Sequence, residues 1–104
     1  MALEVYFRPV AEHDLTALYD YIAEQAGATI ANGYLDRIEA ACMKLAEFPN
    51  RGMSRDDILP GLRTIGFERR VTIASRVLKD RVEIVSIAYR GRHFENELRE
   101  GRRK

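Results

Sequence analysis

Apolar positions recur at helical spacing through residues 15–48, then close to every second residue through 71–89. Leu15, Leu18, Tyr19 and Ile22 fall at i, i+3, i+4 and i+7 and predict one face of an amphipathic helix. Pro9 suits its first turn, Glu12 and Asp14 sit where the helix dipole favours acids, and Ala26-Gly27 ends it. A second stripe follows at once: Ile30, Tyr34, Ile38, Ala41, Leu45 and Phe48, with Leu35 and Cys42 beside it, stopping before Pro49. So short a link between two amphipathic helices predicts an antiparallel hairpin.

Leu3 to Phe7 reads as a short strand, Leu62 to Gly66 as another, and residues 50–61 as a loop with one short helical turn. Val71, Ile73 and Val77 share one strand face, with Thr72, Ala74 and Arg76 on the other. After Lys79-Asp80, Val82 and Ile84 keep one parity, while Val85, Ile87 and Tyr89 take the other. That switch predicts either a central strand apolar on both faces or a bulge near Val85. The order gives an α+β domain: an N-terminal strand, an antiparallel helical hairpin, then a three-stranded, largely antiparallel sheet packed on the hairpin. One domain is expected over residues 1–104, with a charged tail at 91–104 and a short helix around Phe94 to Glu100. The far sheet face has few apolar groups and is expected to lie open and basic.

Charge sharpens this picture. Residues 1–49 carry three Lys/Arg against eight Asp/Glu, a net of −5; residues 50–104 carry fourteen against eight, a net of +6. Such a split argues for macromolecular partners. The N-terminus has neither the basic start nor the apolar stretch of a signal peptide, and no apolar run is long enough to span a bilayer, so a cytoplasmic location is expected. Cys42 lies on the apolar stripe and reads as core filler. His13 and His93 are far apart and match no zinc spacing, and neither a phosphate loop nor a serine nucleophile motif is present, so no metal and no cofactor are expected.

What remains is an arginine set, Arg63, Arg69, Arg70, Arg76, Arg90 and Arg92, with Glu68, Tyr89, His93 and Phe94 nearby. It could grip carboxylates on a partner, stabilise a transition state in RNA cleavage, or simply pair with Glu68, Asp80, Glu83 and the acids of the tail on a solvated strand.

Several segments together resemble a known family: Leu18-x-x-x-Ile22-Ala23-Glu24-Gln25-Ala26-Gly27, Ala31-x-x-Tyr34-Leu35-x-Arg37-Ile38, and Leu45-Ala46-x-Phe48-Pro49-x-Arg51-Gly52. They continue as Arg55-Asp56-Asp57, Pro60-Gly61-Leu62-Arg63, Arg76-Val77, Val82-Glu83-Ile84 and Arg90-Gly91-Arg92. In this order they resemble toxins of the ParE/RelE superfamily, specifically the ParE-like branch of type II toxin–antitoxin systems. The resemblance implies a cognate antitoxin of ParD-like, ribbon-helix-helix type, forming a hetero-oligomer with this chain. It implies DNA gyrase as target, with no catalytic residue, no sequence-specific nucleic acid contact and no membrane. The RelE-like alternative is a ribosome-dependent mRNA endoribonuclease using Arg76, Arg92 and His93 or Tyr89. On the toxin reading, Arg63, Arg70, Arg76 and Tyr34 are expected to bind antitoxin, and Tyr89, Arg90, Arg92, His93 and Phe94 the target. The other reading of that last segment is a chain end packing Phe94 and Leu98 on the sheet edge. Two departures stand out: Val71 and Ser75 replace frequent aromatics, and Tyr89 stands where the final strand often ends in histidine.

Overall fold

In the computed structural model, which describes residues 3–89, a short strand β1 (Glu4–Phe7) runs through an extended Arg8 into α1 (Pro9–Ala26), with proline at the helix start. The turn out of α1 is one residue, Gly27, at φ 95°, a value that favours glycine. Its amide caps α1 on Ala23 and its carbonyl accepts the Ala31 amide, so α2 (Ala28–Met43) begins immediately. A 3-10 turn at Lys44–Ala46 then bends the chain away. Because of that bend, Phe48 leaves the stripe on which its spacing put it and is exposed, as is Ile30 in the first turn of α2.

Among the described residues four further strands join the sheet: β2 (Met53–Ser54), β3 (Arg63–Phe67), β4 (Val71–Leu78) and β5 (Arg81–Tyr89), in the order β1-β5-β4-β3-β2. The α+β class holds, and the strand count is corrected from the expected three in the sheet to five. β1 is not a separate leader but pairs parallel with β5, Glu4 opposite Arg81 through Phe7 opposite Ile84. β2 adds two residues at the opposite edge, and the remaining pairings are antiparallel. β4 and β5 lie where the alternation placed them, either side of Lys79-Asp80, joined through Lys79 at φ 58°.

The helices cover one sheet face with Ala11, Leu18, Ile22, Ile38 and Cys42 against Ile73, Val82, Ile84 and Ile87. Cys42 is fully buried, and burial, reinforced by Glu39, pushes its thiol up to about 12. The parity switch in β5 is a bulge: Ser86 pairs with Ala74 but Ile84 with Ser75, leaving Val85 unmatched. Ile84 and Ile87 thus both reach the helices, while Val85 and Ala88 turn to the far face. Asp14 of α1, 3% exposed, meets this bulge, its Oδ2 accepting the Ile87 amide at 3.0 Å.

The far face is not open, contrary to expectation. Ile58 and Leu62 from the 55–62 loop pack onto Ala74, Val85 and Ala88 as a second small core. Small residues on the strands leave room for this loop, and the loop's polar groups satisfy one another. Arg55 holds Asp57 through two hydrogen bonds, at 3.0 and 3.1 Å, and Asp56 accepts the Ser54 hydroxyl and the Gly61 amide, at 3.1 and 2.7 Å. The Arg55-Asp56-Asp57 and Pro60-Gly61-Leu62 segments are therefore explained as a plug.

Candidate functional site

Where α1 ends, α2 begins and β5 stops, an open cleft of about 430 Å³ remains between the helical hairpin and the sheet. Tyr21 and Gln25 line it from α1, Ile30, Tyr34 and Arg37 from α2, Glu68 and Arg70 from the β3–β4 turn, and Tyr89 from the end of β5. The tight turn at Gly27 brings the two helical contributions together. The β3–β4 turn has Glu68 at φ 47° and Arg69 at φ 67°, left-handed values that cost side-chain-bearing residues energy. A bidentate ion pair holds it: Arg37 Nε and Nη2 donate to the Glu68 carboxylate at 2.9 and 3.2 Å. That hydrogen bonding draws the Glu68 carboxyl below its usual value. The pair is solvent-exposed, so it orients more than it stabilises.

Arg37 also lies 5.3 Å from the Tyr34 ring centroid, and Phe67 packs at 6.0 Å with the rings tilted by 58°. The Tyr34 hydroxyl is buried without a hydrogen-bond partner among the described residues. Burial first, then the charge of Glu68, raises its pKa above the usual 10.0. The Tyr21 and Tyr89 rings meet across the cleft mouth, their centroids 5.7 Å apart and their planes tilted by 59°. Tyr21 is 41% and Ile30 58% exposed, so the cleft continues outward as apolar surface. An aromatic floor, apolar lip and arginine rim suit an amphipathic protein segment carrying acids.

The residues singled out from the sequence are distributed unevenly. Tyr34 and Arg70 share the cleft, and Tyr89, named for the target, lies there with them. Arg63 stands at the other end of β3, its Nη1 donating to the Gly52 carbonyl at 3.1 Å. Arg76 points from the far face into an ion pair with nearly buried Glu83, 3.1 Å away, which Arg81 approaches at 3.8 Å. Arg81 in turn lies over the Tyr6 ring at 4.3 Å. Arg90, Arg92, His93 and Phe94 lie outside the described residues, as does the helix expected from Phe94. Among the described residues, no group of three or more His, Cys, Asp and Glu could hold a metal ion. Sequence reasoning missed Tyr21, Ile30 and Arg37. Arg37 was legible in principle, because it follows Tyr34 by three positions and so shares its helix face.

Residues 5–94 match the profile of the ParE toxin of the type II toxin–antitoxin system, parDE. This chain belongs to the ParE toxin family. Among curated relatives, Toxin ParE3 of Caulobacter vibrioides is 40% identical over 57 residues, covering 55% of this chain and 56% of that toxin. The alignment thus spans little more than half of that relative's length. Among solved structures, the chromosomal ParDE toxin–antitoxin system of P. aeruginosa superposes on this ParE-family chain with a TM-score of 0.75. Identity is 26%, over 86% of this chain and 97% of that one. Two further likenesses concern the fold alone. The toxin–antitoxin complex RelBE2 of Mycobacterium tuberculosis matches at TM-score 0.61 and 19% identity, over 86% of this chain and 100% of that one. A variant of E. coli toxin RelE in the free state matches at 0.66 and 15%, over 98% of each chain.

Proposed function

We propose that this ParE-family chain is the toxic half of a toxin–antitoxin pair, silenced by a cognate ParD-like antitoxin and, when released, acting on DNA gyrase. The family match over residues 5–94 carries the reading. The cleft around Tyr34 supports it, because a disordered tail with apolar and acidic side chains gains apolar burial there along with a guanidinium partner in Arg70. That gain offsets the entropy of ordering the tail. Arginine suits the role, keeping its charge at every physiological pH and meeting a carboxylate with two parallel donors. Arg63 and Arg76 already hold protein partners, so their part in capture is secondary to that of Arg70 and Tyr34.

The deciding experiment expresses the chain alone and together with the product of the adjacent reading frame. Expression alone should arrest growth, and co-expression should restore it. Purified chain should inhibit gyrase supercoiling while leaving ribosome-bound mRNA intact. Codon-positioned cleavage with unimpaired supercoiling would overturn the gyrase assignment in favour of mRNA cleavage.

A further inference from the structure

The plug of residues 55–62 packs on Ala74, Val85 and Ala88; beyond it, where β1, β5 and β4 run side by side, the same sheet face carries charge. Pairing puts Tyr6 opposite Glu83 and Glu83 opposite Arg76, and Arg81 lies two residues back along β5, so all four side chains stand on this face. Glu83 is 6% exposed and sits between two guanidiniums, one at each carboxylate oxygen. Arg76 Nε donates to Oε1 at 3.1 Å, and Arg81 Nη2 lies 3.8 Å from Oε2. Neither arginine depends on Glu83 alone for its place. Arg76 springs from the central strand of the sheet, and Arg81 rests over the Tyr6 ring. Both stay within reach of solvent, with 25% and 40% of their side-chain surface exposed.

Two guanidiniums held on a rigid sheet beside an aromatic ring make a seat for a phosphate, whose oxygens would take the positions of the two carboxylate oxygens. We infer that Glu83 is the residue that closes this seat: its carboxylate is a built-in occupant that turns a nucleic-acid phosphate away from this face. The basic half of the chain, +6 over residues 50–104, by itself favours polyanions. Glu83 withdraws two arginines from that role. An incoming phosphate would have to displace a carboxylate that cannot leave, because Glu83 is fixed to the same strand as Arg81 and is costly to bury without a partner. RNA cleavage would need Arg76 free to meet developing charge, so Glu83 bears on the choice of ligand and not on the fold alone. The inference goes beyond antitoxin capture and gyrase inhibition and depends on neither.

The test measures binding of the full chain to a fluorescent oligothymidylate, which lacks the 2′-hydroxyl that cleavage needs, by anisotropy across a salt series. Glu83→Gln keeps the shape of the side chain and removes its charge. It should bind at least about fivefold more tightly than the unaltered chain at low salt, with a log–log salt slope steeper by about 0.7, the mark of one added phosphate contact. Asp80→Asn makes the same change of charge in the adjoining turn and should gain less than about twofold. Adding Arg76→Gln or Arg81→Gln to Glu83→Gln should in each case abolish the gain. In the unaltered chain, the Arg76 and Arg81 Nε resonances should hold still as oligonucleotide is added, a readout that needs no variant to fold. The inference is overturned if Glu83→Gln gains no more than Asp80→Asn, or if its gain survives the loss of either arginine. Movement of those two Nε resonances in the unaltered chain would overturn it as well.

Discussion

Asp14 and Tyr34 carry opposite polar accounts in the same molecule. The Asp14 carboxylate is buried because the bulge at Val85 leaves the Ile87 amide facing the helices, where only a side chain can accept from it. Asp14→Ala should lower stability by about 1–3 kcal/mol in urea unfolding, the cost of an orphaned buried donor, while Asp14→Asn should recover much of it. Tyr34 shows the reverse, a hydroxyl with no hydrogen-bond partner among the described residues. Tyr34→Phe should leave stability unchanged or raise it by up to about 1 kcal/mol, since nothing bonded is lost. Gly52→Ala combines a disfavoured φ with a clash against backbone, and a loss of at least about 1–3 kcal/mol is expected by the same assay. None of these roles was legible in the sequence. Asp14 reads as an ordinary acid at a helix start, because its partner lies 73 positions away.

Elements were far more legible, and the reason is periodicity. The hairpin, Gly27 and both long strands follow from spacing alone, since each has one face that must be apolar. β2 was invisible because two residues carry no period, and the parallel pairing of β1 is a tertiary fact. The plug was missed for a related reason: Ile58 sits in a stretch with the composition of a loop, and Leu62 reads as the start of a strand. The β3–β4 turn makes its own prediction. Glu68 has its carboxyl pKa lowered in the fold, chiefly by hydrogen bonds from Arg37. Its support for the turn is therefore complete above the ordinary glutamate value of 4.5 and fades as pH falls through the lower folded one. An NMR titration of Glu68 should show that lowered value move back towards 4.5 in Arg37→Gln.

Over the whole molecule, the change from −5 in residues 1–49 to +6 in residues 50–104 gives the chain an electrostatic polarity. Association with an acidic partner should slow steeply as salt rises, since the Debye length falls to about 10 Å at 0.1 M. Stopped-flow measurement should place most of the salt effect in the association rate. A salt-independent rate would mean that the basic half takes no part in encounter. Of the candidate site, the sequence disclosed residue types but not their grouping. Tyr34, Arg70 and Tyr89 come from α2, the β3–β4 turn and β5, and only the folded sheet brings them to one cleft.

The pairing of β1 with β5 has a consequence for how the molecule is made. A ribosome delivers Glu4 to Phe7 early, yet their hydrogen-bonding partners, Arg81 to Ile84, emerge only after the helices and most of the sheet have been synthesised. Until then β1 has no strand to pair with and the Asp14 carboxylate has no Ile87 amide to receive. Closure is thus a late, long-range event, of the kind whose loop entropy slows folding. An interrupted translation product would lack the finished sheet and, with it, the cleft that Tyr89 helps to form.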